Sequence, residues 1–263
     1  MSTILLTGAT SGLGRHVAFE LVRSGHLVLA HGRDAARTRR LVEELRGEGA
    51  AEGFVADLAS LAQVRELGTR VAEAHPELDV LVNNAGVGGG SPGSGREVSA
   101  DGHELRLAVN YLAPVALTRA LLPVLRANPP ARIVNVGSAG QEPLVVDDPE
   151  LTRGYSGLSA YCRSKFALAA HTFALAEELD GTGVSVNVLH PATYMDTAMV
   201  REGGISPWNT VADSAPGVLD LATRDLGSGG YFDGTRAARA HRAAYDRDVQ
   251  TRLQAVTDRL LDA

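Results

Sequence analysis

The sequence predicts an α/β fold, a doubly wound parallel sheet with helices on both faces. Three observations predict it. Short apolar runs of strand length alternate with longer stretches whose apolar residues recur at helical spacing, the pattern of strands joined by crossover helices. The first run ends in a glycine-rich turn that opens a helix. The later runs end in polar residues and glycine, as at the carboxyl edge of such a sheet, where ligands bind.

Residues 3 to 7 (TILLT) read as a strand and GATSGLG as its turn, followed by a helical pattern from Arg15 through Val22 that stops at Gly25. Gly8, Gly12 and Gly14 let the backbone approach a pyrophosphate, and the helix N-terminus offers free N–H groups and a positive dipole end. Their G-x-x-x-G-x-G spacing departs from the usual G-x-G-x-x-G, so its weight comes from its place at the first strand-to-helix junction. A strand at 27 to 31, a helix from Ala35 to Arg46, a strand at 52 to 56, a helix from Ser60 to Glu73 and a strand at 79 to 82 follow. Arg33, Asp57 and the NNAG tetrad at 83 to 86 stand at the strand ends.

A Gly- and Ser-rich loop from Val87 to Ser99 leads to a helix over Asp101 to Ala127, kinked at Pro114 and containing Asn110. A strand at 132 to 136 delivers Gly137 and Ser138 to the ligand end. An acidic, turn-rich loop over 139 to 157 precedes a helix at 156 to 180, and a strand at 184 to 189 leads to His190 and Pro191. Met195, Met199 and Trp208 in the loop 192 to 210 are expected to wall an apolar pocket with Leu144 and Val145. A short helix at 211 to 223, a strand within 229 to 234 and a charged helical tail at 239 to 263, expected on the surface, complete a single domain over 1–263.

Composition narrows the function classes. The chain of 263 residues is 44% hydrophobic with interspersed charge, and its net charge of -6 argues against nucleic-acid binding. Its one cysteine, Cys162, cannot form an internal disulfide, which fits a reducing cytoplasm. No charged leader precedes the first strand, and no apolar run is read as approaching the roughly 20 residues of a membrane span. The expectation is a cytoplasmic protein with no membrane attachment and no metal.

The stretch SAYCRSKFA, residues 159 to 167, carries the chemistry. Of the 25 Lys and Arg residues only Lys165 is lysine. Four residues apart on a helix, Tyr161 and Lys165 share a face. An ammonium beside a phenol favours the phenolate, so the pair can exchange a proton with an alcohol or ketone oxygen. A bare Tyr-x-x-x-Lys is more often a buried tyrosine and a surface lysine, so the motif needs company. Tyr155 is a rival, but no lysine lies four residues after it, and it reads as loop structure.

That company is TGATSGLG, NNAG, Asn110, Ser138 and YCRSK in order, which together resemble the short-chain dehydrogenase/reductase family over nearly the whole chain, with its Rossmann-type sheet. LAHGRD, the long gap between Ser138 and Tyr161, and AYCRSK resemble the retinol-dehydrogenase-like branch. The resemblance implies a catalytic tetrad in which Ser138 binds the substrate oxygen and Tyr161 is the acid/base. Lys165 lowers the Tyr161 pKa and holds the nicotinamide ribose, and Asn110 holds a water. It implies cofactor contacts from Gly8, Thr10, Ser11, Gly12, Leu13 and Gly14 at the pyrophosphate, Asp57 and Leu58 at the adenine, and Asn83, Asn84, Ala85 and Gly86 beside the adenosine. Tyr161, Lys165, Pro191, Thr193 and Thr197 would meet the nicotinamide end. Where the family has Pro-Gly after the sixth strand this chain has Pro191 and Ala192, a departure that bears on Thr197. Arg33 at the end of the second strand points to NADPH/NADP+ over NAD, although a one-residue shift would put Asp34 there.

The implied function is an NADPH-dependent reductase or alcohol dehydrogenase for a bulky, largely apolar ketone or secondary alcohol, in secondary metabolism. A catalytically silent dinucleotide sensor, or reduction of a C=C or C=N bond, are the alternatives. The apolar runs on the helices at 101 to 127 and 156 to 180 exceed one sheet-facing stripe, so a homodimer or homotetramer through them is expected.

The lone lysine generates a test. A guanidinium is wider than an ammonium, and misplacement by about 1 Å can cost roughly 100-fold in rate. Lys165→Arg should fold normally by circular dichroism yet lose at least about tenfold in turnover, with Lys165→Ala worse. Near-native turnover in Lys165→Arg would make the single lysine an accident of composition.

Overall fold

The computed structural model describes residues 1–91 and 93–262; Pro92, within the loop read at 87–99, and Ala263, at the end of the tail, lie outside them. Eight strands form one sheet in the order β3-β2-β1-β4-β5-β6-β7-β8. The strands are β1 Thr3–Leu6, β2 Leu27–Gly32, β3 Ala51–Val55, β4 Val80–Asn83, β5 Ala131–Val136, β6 Val184–His190, β7 Tyr231–Asp233 and β8 Arg236–Ala238. Pairing is parallel from β3 through to β7. The sheet reverses at β1, where β2 and β4 flank it, and this is the switch point at which the carboxyl ends open a crevice. β8, which the sequence reading leaves unassigned between the strand within 229 to 234 and the tail from 239, is an antiparallel edge strand hairpinned to β7.

Strand residues divide by parity, because successive side chains point to opposite faces. Leu5, Leu29, Leu81, Ile133 and Val186 join the core on one face, against α3 (Leu61–Ala74), α5 (Ala113–Ala127) and α6 (Gly157–Glu178). Ile4, Leu6, Val28, Val80, Val82 and Val134 join the core on the other, against α1 (Gly12–Arg23), α2 (Ala35–Arg46) and α9 (Pro216–Thr223). Both faces are covered, which is why the strands read as near-continuous apolar runs.

Local signals set the helix starts. The Ser60 side chain accepts from Gln63 N–H before α3, and the Asp34 side chain accepts from Arg37 N–H at 2.8 Å before α2. α1 begins at Gly12, earlier than the periodicity from Arg15 suggests, because the turn glycines carry no apolar pattern. Before α5 lie the short α4 (Leu105–Leu107) and a π turn over Ala108–Leu112. Pro114 brings no N–H to the carbonyl of Asn110, four residues back, and the helix widens into the π turn just before the proline. The segment read as one loop at 192 to 210 contains α7 (Ala198–Glu202), and Pro216 splits the next helix into α8 (Val211–Ser214) and α9.

The tail corrects two expectations. α10 (Arg247–Asp262) is charged outward, but its Gln250, Leu253, Val256, Thr257 and Leu261 are buried along one face. The Tyr111 hydroxyl and Thr257 Oγ1 lie 2.6 Å apart in a buried hydrogen bond between the π turn and α10. The apolar surplus on α5 and α6 therefore has an owner within the chain, and among the exposed large apolar residues only Leu158 lies on either helix. The helical stretch Leu105–Ala127 is also long and apolar enough to cross a membrane, contrary to the sequence reading, and 72% of its most apolar window is buried in this fold.

If α10 is core and not surface, Leu253→Ala should destabilise the protein by about 2–5 kcal/mol, the range for truncating a buried leucine. A urea-unfolding midpoint unchanged by Leu253→Ala would return the tail to the surface.

Candidate functional site

The site lies where β4, β5 and β6 end. Lys165, on α6, is 4% exposed, and its Nζ donates to the Val136 carbonyl, the last of β5, at 2.7 Å. Among the described residues no carboxylate pairs with it, and burial lowers its pKa to about 8. Tyr161, one turn earlier on the same face, has its ring centroid 5.8 Å from that Nζ. Its phenol is pushed up by burial, with the neighbouring Ser138 side chain working against the rise. In this geometry Lys165 leans toward the β5 carbonyl and the phenol is raised, not lowered as the sequence reading expects.

Asn110 is fully buried in the π turn. Its Oδ1 accepts from Val87 N–H at 2.8 Å, and its Nδ2 donates to the Val87 carbonyl and to Ser164 Oγ, each at 3.0 Å. Ser164 Oγ in turn donates to the Tyr161 carbonyl at 2.7 Å. The side chain expected to hold a water thus clamps the loop after NNAG to the Tyr161 helix. Ser164 is a member that the sequence reading missed, although it sits inside YCRSK. Gly86 closes the arrangement, since a Cβ there would lie 3.1 Å from Asn110 Oδ1 and 3.6 Å from Lys165 Nζ.

The glycine turn is tied to the same edge. Thr7 Oγ1 accepts from Asn84 N–H and Ala85 N–H, each at 3.0 Å, and Asn84 Nδ2 donates to the Thr7 carbonyl at 2.8 Å. Gly8 has φ +66, and a Cβ on it would lie 2.8 Å from Ala85 Cα. A Cβ on Gly14 would strike the Gly8 carbonyl oxygen, so both positions admit only glycine. Gly8 N–H donates to His31 Nδ1 at 3.3 Å, which leaves Nε2–H to donate to the Ala56 carbonyl at 3.0 Å. His31, unassigned by the sequence reading, is neutral and links three strand ends; only its place beside LAHGRD's glycine could have signalled it.

The remaining assignments divide. Ser11 is the residue preceding α1, and the Thr10 side chain lies under Gly32. Leu13 and Leu58 are buried apolar residues. Arg33 is exposed and makes no ion pair among the described residues, while Asp34 is occupied as the α2 cap. Asp57 Oδ1 accepts from Ala59 N–H at 2.9 Å. Thr197 reaches the turn, its Cγ2 being 3.1 Å from where a Gly12 Cβ would lie, and Thr193 Oγ1 is 3.0 Å from His190 Nε2 in the loop after Pro191. Asn83 does not belong: it points into the core, where Nδ2 donates to Asn135 Oδ1 at 2.9 Å and to Thr118 at 3.3 Å. Strand parity puts Asn83 on the α5 side and leaves Asn84 beside the turn.

Tyr155 is loop structure. Its hydroxyl donates to Glu104 Oε1 and accepts from Arg106, both at 3.1 Å, and burial raises it to about 12. Of the expected pocket wall, Leu144 and Met195 pack against the two cores. Val145, Met199 and Trp208 remain exposed, with Tyr194 set edge-on to Trp208 at 4.8 Å.

Comparison with known proteins adds the following. The profile of the family described as short chain dehydrogenase matches residues 2–205. Retinol dehydrogenase 13 of Homo sapiens is 33% identical over 283 aligned residues, covering 98% of this chain and 84% of that protein. Among solved structures, an uncharacterized protein from Mycobacterium paratuberculosis has a TM-score of 0.82 at 28% identity, over 100% of this chain and 94% of that one. The RhlG/NADP complex of Pseudomonas aeruginosa has a TM-score of 0.74 at 28% identity, over 88% of this chain and 94% of that one.

The buried imidazole under the glycine turn makes stability depend on pH. Burial lowers His31 from 6.5 to about 4, so as pH falls through that window the unfolded chain takes up the proton first. Stability is complete above about 6.5 and is lost toward 4, by on the order of 3 kcal/mol from His31, with buried His171 acting in the same direction. Urea unfolding across this range should show a shallower pH slope in His31→Gln than in the parent; equal slopes would mean that His31 titrates freely in the fold.

Proposed function

The chain belongs to the short-chain dehydrogenase/reductase family, in its retinol-dehydrogenase-like branch, and is an NAD(P)-dependent oxidoreductase of alcohols and ketones; from that premise we propose that it uses NADPH and acts on a bulky, largely apolar small molecule. The observation that carries this reading is the meeting of Ser138, Tyr161 and Lys165 at the end of β5, with Asn110 clamped behind them.

The nicotinamide, when bound, supplies or accepts the hydride. The protein's own groups handle the oxygen and the proton. Ser138 hydrogen-bonds the substrate oxygen, and Tyr161 gives that oxygen its proton in reduction or takes it in oxidation. Lys165 gives one N–H to Val136, which leaves two to hold the ribose and to act on the phenol. Lowering a buried phenol toward neutrality takes opposite charge nearby, and Lys165 is the cation at hand. Asn110 acts through position, holding Val87 and Ser164.

The residues present fit a dinucleotide. Gly8, Gly12 and Gly14 bring no side chains of their own to the turn, which Thr197 and Asn84 approach at Gly12 and Gly14, with Thr10, Ser11 and Leu13 around it. Asp57, Leu58, Asn84, Ala85 and Gly86 line the path between the adenine and nicotinamide ends. Pro191, Thr193 and Thr197 stand at the nicotinamide end, and the contact of Thr197 with Gly12 supports its place despite Ala192. Arg33 is the group for a ribose 2′-phosphate, being unpaired where Asp34 is not. Relatives solved with NADP support that choice. The exposed Met199, Tyr194 and Trp208 support an apolar substrate. A single domain over 1–263, a cytoplasmic setting, a homo-oligomer and a place in secondary metabolism rest on resemblance and composition; the burial of the apolar residues of α5 and α6 within the chain, with the tail over α6 and the π turn, takes away the apolar surplus first offered for self-association.

NADPH consumption measured with a graded series of ketones tests the reading. Aromatic and polycyclic ketones should outrun acetone-sized ones, NADPH should be preferred to NADH, and Arg33→Ala should erode that preference. No consumption with any ketone would leave a dinucleotide-binding protein without catalysis, and equal efficiency with both cofactors would remove the role of Arg33.

A further inference from the structure

We propose that Tyr231 and Gln141 are positioning residues for Ser138, and that through them the C-terminal segment from β7 onward completes the active site. The inference rests on the assignment of Ser138 to the substrate oxygen. Its observations are separate from that assignment.

The Ser138 carbonyl accepts two side-chain hydrogen bonds. Gln141 Nε2 donates to it at 2.9 Å and the Tyr231 hydroxyl at 3.1 Å. Two donors from different elements hold one peptide plane, and a held plane sets the direction of the side chain it carries. Ser138 Oγ is further fixed by Gly140 N–H, which donates to it at 3.1 Å. The hydroxyl that meets Tyr161 is therefore aimed by groups that need not touch substrate. Tyr231 lies on β7, and 6% of it is exposed, so its hydroxyl is placed by the sheet itself.

Gln141 is placed by the tail. Its Oε1 accepts from His241 N–H at 2.9 Å. The His241 ring stands edge-on to Phe166, the residue after Lys165, with centroids 5.6 Å apart, and its Nδ1 accepts from Ala243 N–H. A continuous line of hydrogen bonds thus runs from the tail through Gln141 to the Ser138 carbonyl. It secures the first residues of the loop 139–157 together with α6, whose Cys162 carbonyl accepts from Glu142 N–H at 3.2 Å and whose Arg163 Nε donates to Glu142 Oε1 at 2.8 Å.

Cys162 gives a readout that needs no substrate. It is the only cysteine, it is half-buried, and a Cβ on Gly140 would lie 3.2 Å from its Sγ. The segment that Gln141 anchors therefore shields the thiol.

The test compares the full-length protein with Tyr231→Phe, Gln141→Met and the double variant, and includes Ser138→Ala. The substrate probe is phenanthrenequinone with NADPH. Loosening Ser138 should lower kcat by roughly 10- to 100-fold in the double variant, less in each single one, and leave the KM for NADPH within about twofold. The rate of Cys162 modification by Ellman's reagent should rise at least about threefold as the segment opens. Tyr231→Phe removes one oxygen atom, so a folding defect in the double variant would still leave a folded protein to measure. Retained kcat and unchanged thiol reactivity in the variants, with Ser138→Ala inactive, would overturn the inference. Full activity in Ser138→Ala, or no turnover by the parent, would instead overturn the functional reading, and the thiol reactivity would then decide the positioning claim alone.

Discussion

The Lys165 ammonium lies inside the protein against one backbone carbonyl, with no carboxylate beside it among the described residues. An unpaired buried charge is costly, and its pKa falls to about 8 in response. Such a group persists only where the surrounding structure holds it. Here α6 is pinned to the sheet by a buried face that includes Phe166, Ala167, Ala170 and Thr172, so Nζ has little choice of position. Gly86 leaves the space beside it, and Asn110 joins the loop after β4 to α6 through Ser164. The depressed pKa and the rigid surroundings have one origin, the burial of a side chain whose remaining donors face the site.

The other half of the crevice depends on small polar groups at the end of β1. Thr7 accepts two N–H groups from the NNAG segment, Gly8 lies against Ala85, and His31 takes the Gly8 N–H. These contacts hold the glycine turn and the β4 end as one unit. A second buried set, Asn83, Asn135, Thr118 and Thr172, joins β4 and β5 to the helices behind them. Satisfied polar networks of this kind specify register, because a shift by one residue would leave buried amides without partners.

The C-terminal segment is part of this construction. Tyr231 and Gln141 hold the Ser138 carbonyl from the front, while α10 covers the outer faces of α6 and the π turn through Leu253 and Thr257. A tail with a charged outer side and a buried inner stripe reads as surface when only its composition is weighed. Its inner stripe, at 250, 253, 257 and 261, is legible as helical periodicity, but what it packs on is not.

The sequence by itself determined the order of strands and helices, the glycine turn, and the set Asn110, Ser138, Tyr161 and Lys165. Alternation of apolar runs, glycines at a junction and a four-residue helical spacing carry the elements, the turn and the pair Tyr161 and Lys165, whereas Asn110 and Ser138 are carried by the family resemblance of the motifs taken together. Tertiary structure decided the rest. Whether Asn83 or Asn84 faces the turn follows from strand parity within a paired sheet, and whether Asp34 or Arg33 is free follows from the cap of α2. Likewise, Ser164, His31, Gln141 and Tyr231 take their roles from partners 23 to 100 residues away in sequence. Periodicity reports which side of an element is apolar. Only the packed chain brings the distant donor to its acceptor, and that pairing sets which polar residue serves the site and which serves the core.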